Sequence, residues 1–242
     1  MNATGALLRL DEQLSSEFLI NELYEKSQKI TAFIKSRGYP IKDISANVAA
    51  KIQMLPVNHL NKIYKDFSFL EELIATPEIE KQTETDITKE VLNRTKLKVS
   101  DAFWKRHRSD EVIEIYRNDG VQVFRSFNMF ATTGYSFLDL NLYAWDELWE
   151  RSSRRIADLH KTVDEILAGK IEDYVYEDEG EIIKEVLNTT FTEPFQPRML
   201  ATRVHQLTAC RDILTNEIRG FAVTTSSKVL SIGKDSETIR FI

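Results

Sequence analysis

The chain has 242 residues, of which 42% are hydrophobic and 29% charged, with a formal net charge of −6. Those proportions belong to a globular chain with a real apolar core, and the acidic balance argues against nucleic acid or an anionic membrane as the default partner. No apolar run approaches the roughly 18 residues of a membrane helix, the N-terminus lacks signal-peptide regions, and a single cysteine, Cys210, excludes an intrachain disulfide or a cysteine-rich zinc site, so a cytoplasmic protein is expected.

Residues 11–37 carry Leu14, Phe18, Leu19, Leu23, Ile30, Phe33 and Ile34 at mostly helical spacing, with Gly38 and then Pro40 as stop signals. A shorter helix is predicted over 45–54, broken by Pro56. A third follows over 58–74, with Leu60, Ile63, Phe67, Leu70 and Leu73 on one side. Thr76-Pro77 has the form of an N-cap with proline at the first helical position. The polar stretch 78–84 is a candidate hinge, and 87–103 reads as one further amphipathic helix.

At Asp110 the period changes from helix to strand. EVIEIYR and VQVFRSF are β-branched and aromatic, and Asn118-Asp119-Gly120 between them tolerates positive φ, a hairpin signal. Helices are predicted over 136–149 and 153–168. The remainder is strand-rich: GEIIKEVLNTTF, MLATRVHQLTA, IRGFAVTTS and a further strand near 238–242. The pattern gives an α+β chain in three parts: an N-terminal helical domain (1–83), a linker helix (84–109) and a curved antiparallel sheet with helical connectors (110–242).

The phrase Ser126-Phe127-Asn128-Met129-Phe130-Ala131-Thr132-Thr133-Gly134-Tyr135-Ser136 resembles the run that leads out of the second strand of PAS sensory domains. Leu140, Trp145 and Leu148 match the helical connector that follows. Arg203 to Leu207 and Arg219-Gly220-Phe221-Ala222-Val223 resemble the last two strands. The resemblance covers about half the chain, from 110 to 227. It departs from the family at Ser126 (customarily Asn), at Met129 (customarily Phe), and at Glu150-Arg151-Ser152-Ser153, which replaces a His-Pro-Asp-Asp phrase. The loop 208–217 also lacks the usual Asp-Gly.

A curved sheet with helices over one face can hold an apolar cavity. Phe130, Tyr135, Phe137, Leu138, Trp145, Leu148, Trp149 and Phe221 are its expected walls, with core packing as the plainer alternative. Arg203 and His205 alternate with Val204 and so share a sheet face. Should that face be the concave one, they are placed to bind an acidic group of a ligand. In haem-binding PAS proteins a histidine on the long helix can ligate iron, which singles out His160; a structural role at the helix edge is the simpler reading. Flavin photochemistry of the light-oxygen-voltage kind needs a cysteine beside the flavin ring, and Cys210 falls in a predicted loop instead.

No catalytic constellation is visible. His59, His107, His160 and His205 form no HxxxH or HExxH pair, and 8 glycines build no phosphate loop. The basic run Lys96, Lys98, Lys105, Arg106, His107 and Arg108 lacks a recognition helix and reads as a solvated linker. The leading expectation is therefore a regulatory protein whose PAS-like domain senses a small ligand and relays a change to a partner protein or to a homodimer interface formed by helices. The competing expectation is a ligand-free docking module, and a small enzyme on an α+β scaffold ranks third.

Overall fold

Eight β-strands pair into one curled antiparallel sheet in the computed structural model, which describes residues 15–44, 46–143, 145–187 and 197–232. The chain is of the α+β class. Leu14, Ser45 and the strand expected near 238–242 lie outside the described residues.

Three helices come first: α1 (Ser16–Ser36), α2 (Ala46–Met54) and α3 (Val57–Ile74). Ser15 caps α1 by accepting from the Phe18 N–H, and Gly38, at φ 87°, lets Tyr39 N–H donate back to the Ile34 carbonyl. The first face buries Leu19, Leu23, Ile30 and Ile34, all at zero exposure. After a 3-10 turn at Ile79–Lys81, α4 (Glu84–Arg94) starts at the Thr83 cap rather than at Thr76-Pro77.

The single helix expected over 87–103 is not formed. Lys96 adopts φ 58°, which ends α4, and β1 (Leu97–Lys98) and α5 (Asp101–Arg106, capped by Ser100) follow in its place. A left-handed residue cannot continue a right-handed helix, and β1 gains ladder bonds to the end of β7. The apolar side chains of this segment, Ile87, Val91, Leu92 and Phe103, are buried within the chain.

The hairpin of β2 (Val112–Arg117) and β3 (Gln122–Arg125) turns at Asn118-Asp119-Gly120, with Gly120 at φ 77°. A 3-10 turn (Phe127–Ala131) leads to α6 (Phe137–Leu142), where Ser136 and Asp139 form a reciprocal capping box. The helix expected over 136–149 is in fact α6, then α7 (Trp145–Leu148), then β4 (Trp149–Glu150). Next come α8 (Ser153–Leu167), capped by Ser152 and stopped at Gly169 (φ 70°), β5 (Asp173–Val175) and β6 (Glu181–Glu185). The long β7 (Arg198–Asp212) and β8 (Ile218–Ile232) complete the sheet. Cys210 sits inside β7, opposite Gly220, and not in a loop, because β7 and β8 run longer than their apolar cores suggest.

The order is β3-β2-β8-β7-β6-β4, and the free edge of β7 is shared in series by β6, β5 and β1. Three short strands thus cover an edge that would otherwise expose unpaired backbone. Midway along β7 the register shifts: Val204 pairs with Thr225 but Gln206 with Thr224, so His205 is an extra, bulged residue.

Both faces of the sheet are covered. On one, Ile113, Ile115, Phe124 and Ala222 share a core with α1, α3, α4 and α6. On the other, Val204, Leu207, Ala209, Phe221 and Val223 pack against Leu159, Val163, Ile166 and Leu167 of α8. No helix of the described residues is long and apolar enough to cross a membrane.

Candidate ligand cavity between the sheet and α8

Alternation on β8 sends Phe221, Val223, Thr225 and Ser227 to the α8 side, and Glu114 and Tyr116 on β2 point the same way. Because α8 meets the sheet mainly through one narrow apolar stripe, it leaves a cavity of ≈ 390 Å³. That lies within the range of about 300–1,000 Å³ typical of small-molecule sites. Tyr116 and Phe221 stack with ring centroids 4.9 Å apart on its floor, Leu159, Val163 and Leu167 form the opposite wall, and Trp145 and Trp149 close one end.

Charge is concentrated in that apolar setting. Arg125 reaches in from β3 with its side chain 8% exposed; Nε lies 3.2 Å from Glu114 Oε1, and the guanidinium stands 5.8 Å from the Trp149 ring. Glu114 Oε2 accepts from the Tyr116 hydroxyl and, at 3.3 Å, from Gln122 Nε2, so both carboxylate oxygens are engaged. Burial is the largest single influence on the Arg125 cation and works against it, but the Glu114 charge, Tyr116 and the polar contacts of both together raise the guanidinium pKa. Arg151 lies over Trp145 at 5.4 Å with Nε 3.5 Å from Glu181 Oε1. There burial wins over the Glu181 charge and holds the pKa below the usual guanidinium value. Behind it Arg155 donates to Asp178 at 2.6 Å.

Among the described residues several of these groups are buried without a hydrogen bond: Arg125 Nη1 and Trp149 Nε1, and also Arg125 Nε and Arg151 Nε, which meet Glu114 and Glu181 only as ion pairs, and both oxygens of Glu181. A buried unsatisfied donor costs about 1–3 kcal/mol.

The structure distributes the predicted wall residues over two places. Trp145, Trp149 and Phe221 line the cavity, and His160 stands at its exposed rim with its ring against Trp145 at 5.8 Å. Phe130, Tyr135, Phe137 and Leu138 are instead buried in the core on the other side of the sheet, Phe137 packing on Phe67 of α3 with centroids 4.9 Å apart. Tyr135 is a tie: its hydroxyl donates to the Leu148 carbonyl and accepts from Val186 N–H at 2.9 Å and Leu187 N–H at 3.2 Å. Leu148 faces a second cavity of ≈ 340 Å³ beneath α3, whose lining shares Tyr116, Arg125 and Trp145 with the first.

Arg203 and His205 do share a face, but it is the one turned away from the cavity, since Val204 between them faces inward. His205 Nε2 lies 2.8 Å from Ser226 Oγ and 3.8 Å from Glu111 Oε1. One nitrogen makes both contacts, so the carboxylate does not orient the opposite ring nitrogen as a Ser-His-acid relay requires. Burial lowers the His205 pKa against the Glu111 charge. The basic run is partly engaged as well: Arg106 meets Asp173 and Gln206, and Arg108 meets Asp110.

Glu114, Arg125 and Arg151 were missed as site residues. A signal existed for two of them, because the turn at Asn118-Asp119-Gly120 sets a register that pairs Glu114 with Arg125. Comparison with models of protein families, with curated proteins and with solved structures finds no match for this chain.

Proposed function

We propose that the chain is a PAS-like regulatory protein in which a small molecule, held between the sheet and α8, biases the arrangement of the N-terminal helices. The observation that carries this reading is the cavity itself: apolar walls, stacked aromatics and buried polar donors without a hydrogen bond. The hairpin, small helices, long helix and antiparallel strands on which the PAS resemblance rests occur here in that order.

A route for the signal is built from contacts. Tyr116 and Arg125 separate the two cavities. Arg117, at the end of the same strand as Tyr116, pairs with Asp66 of α3 at 3.1 Å. Beyond β3, the Phe127 N–H donates to Glu84 at 2.7 Å, and Glu84 pairs with Arg37 at the end of α1 at 2.8 Å. A ligand shifts such a system only by its differential affinity for two arrangements. The recipient is a partner protein or a second copy contacting the N-terminal helices.

The test is to expose the purified protein to a metabolite pool and compare native with denaturing mass spectra, for wild type and for Val163→Trp, which fills the cavity. Wild type should retain a small molecule and show slower amide exchange in α8 and α3; the variant should do neither. Equal retention by the variant would place the site elsewhere, and no retention from any pool would remove the sensor reading.

A further inference from the structure

The reading of the cavity as a ligand site underlies one more specific step, which concerns the chemistry of the ligand. We infer that the cavity takes a small organic acid whose single carboxylate sits against Arg125 and Arg151 and whose apolar body lies between the Tyr116–Phe221 stack and α8.

Among the residues that line the cavity, the buried side-chain groups left without a hydrogen bond are all donors. Glu114 has both oxygens occupied by Arg125, Tyr116 and Gln122. Arg125, more than nine-tenths buried, keeps Nε and Nη1 without a hydrogen bond, and Arg151 Nε and Trp149 Nε1 are in the same state. Glu181 Oε1 and Oε2 are also without a hydrogen bond, but Glu181 lies behind the lining, its Oε1 3.5 Å from Arg151 Nε, so the atom that complements the lining itself is an acceptor. A planar carboxylate is the acceptor that fits a guanidinium fork.

Charge limits how many negative charges the ligand can carry. The side chains of Arg125, Arg151 and Arg155 are 8–12% exposed, and those of Glu114 and Glu181 are 12% and 14% exposed. Arg155 is matched by the more exposed Asp178 at 2.6 Å, so Arg125 and Arg151 stand against Glu114 and Glu181 and the cluster is close to neutral. A near-neutral cluster takes a monoanion at less cost than a phosphate dianion. Burial depresses the Arg151 pKa despite Glu181, the mark of a cation short of counter-charge. The rest of the lining is mostly apolar, including Leu159, Val163, Val204 and Val223, which suits a hydrocarbon body and offers little to a sugar or a polyol.

The probes are 3-phenylpropionate, its neutral amide and the corresponding amine, titrated into the full chain at pH 7.5. Binding is read from tryptophan emission, since Trp145 and Trp149 line the cavity, and by calorimetry. The acid should bind at least tenfold more tightly than the amide, with the amine weakest. Arg151→Gln should weaken the acid at least tenfold and leave the amide unchanged. Val163→Trp, which fills the cavity, should abolish both, and retained binding of the amide by the Arg151 variant shows that this variant is folded. Equal binding of acid and amide, or tighter binding of the amine, overturns the inferred ligand class while the cavity remains a ligand site. Silence from all three probes, with a metabolite still retained from the pool, overturns the class alone; silence with nothing retained overturns both readings.

Discussion

Replacing Glu84 by alanine should destabilise the protein by about 3–4 kcal/mol, because this one carboxylate joins three parts of the fold. Its Oε1 accepts from Arg37 Nε at 3.2 Å, Arg37 Nη2 at 2.8 Å and the Tyr39 hydroxyl at 3.1 Å, while Oε2 accepts from the Phe127 N–H at 2.7 Å. The side chains of Glu84 and Arg37 are 9% and 10% exposed. Removing one member of a buried pair costs about 3–5 kcal/mol, since the other charge stays buried. The lower part of that range applies because Arg37 retains the carbonyls of Ile79, Glu80 and Gln82 at 2.9–3.3 Å. Glu84→Gln keeps an acceptor for the guanidinium but loses the charge and one N–H contact, and should cost about 2 kcal/mol. Tyr39 reports on the same joint: burial, then the Glu84 charge, push its pKa up to about 12, and it should titrate nearer the ordinary 10 in the alanine variant. Urea unfolding followed by tryptophan emission and far-ultraviolet circular dichroism measures the loss. An alanine variant within 1 kcal/mol of wild type, or a glutamine variant as damaged as alanine, would refute the argument.

Gly220→Ala should cost about 3 kcal/mol, because a Cβ there would stand 1.9 Å from the Tyr116 carbonyl oxygen on the paired strand; a melting temperature close to that of wild type would contradict it. Burial raises the Glu185 pKa above its ordinary 4.5, against the Gly134 N–H bond. A raised folded-state value gives stability that is full below the unfolded pKa and lost as pH rises through the folded one. The advantage of Glu185→Gln over wild type in urea should therefore grow from pH 4.5 towards neutrality, and a constant difference would refute the assignment. Burial also raises the Cys210 thiol pKa, so a thiol reagent should label native protein on the order of 100-fold more slowly than urea-unfolded protein; equal rates would show that β7 opens readily.

Much of the fold follows from local chemistry. Ser15, Ser136 and Ser152 cap helices, Gly38 and Gly169 stop them at positive φ, and Gly120 turns the hairpin, each by an interaction within a few residues. The break of the 87–103 segment depends instead on a strand 115 residues later in the chain, since Leu97 pairs with Asp212 once Lys96 turns left-handed. The candidate site was legible to a similar depth. Trp145, Trp149 and Phe221 reach the cavity, whereas Tyr135 and Phe137 satisfy the same hydrophobic pattern from the opposite side of the sheet. Apolar character alone does not state which of two covered faces a residue takes. For Arg203 and His205, alternation established that they go together, and only the packing of α8 on Val204 and Leu207 decided which way.

The extra residue at His205 gives β7 one position at which a change of length leaves its two faces intact. Upstream, Val204 faces the cavity; downstream, Leu207 does, an interval of three instead of two or four. Losing that single codon would join Val204 to Gln206, which already pair with the consecutive Thr225 and Thr224, and would leave Leu207 and Ala209 facing α8 and Gln206 facing the Phe103 carbonyl. Homologous chains that differ in the length of this strand are therefore expected to lose or keep their extra residue at the bulge.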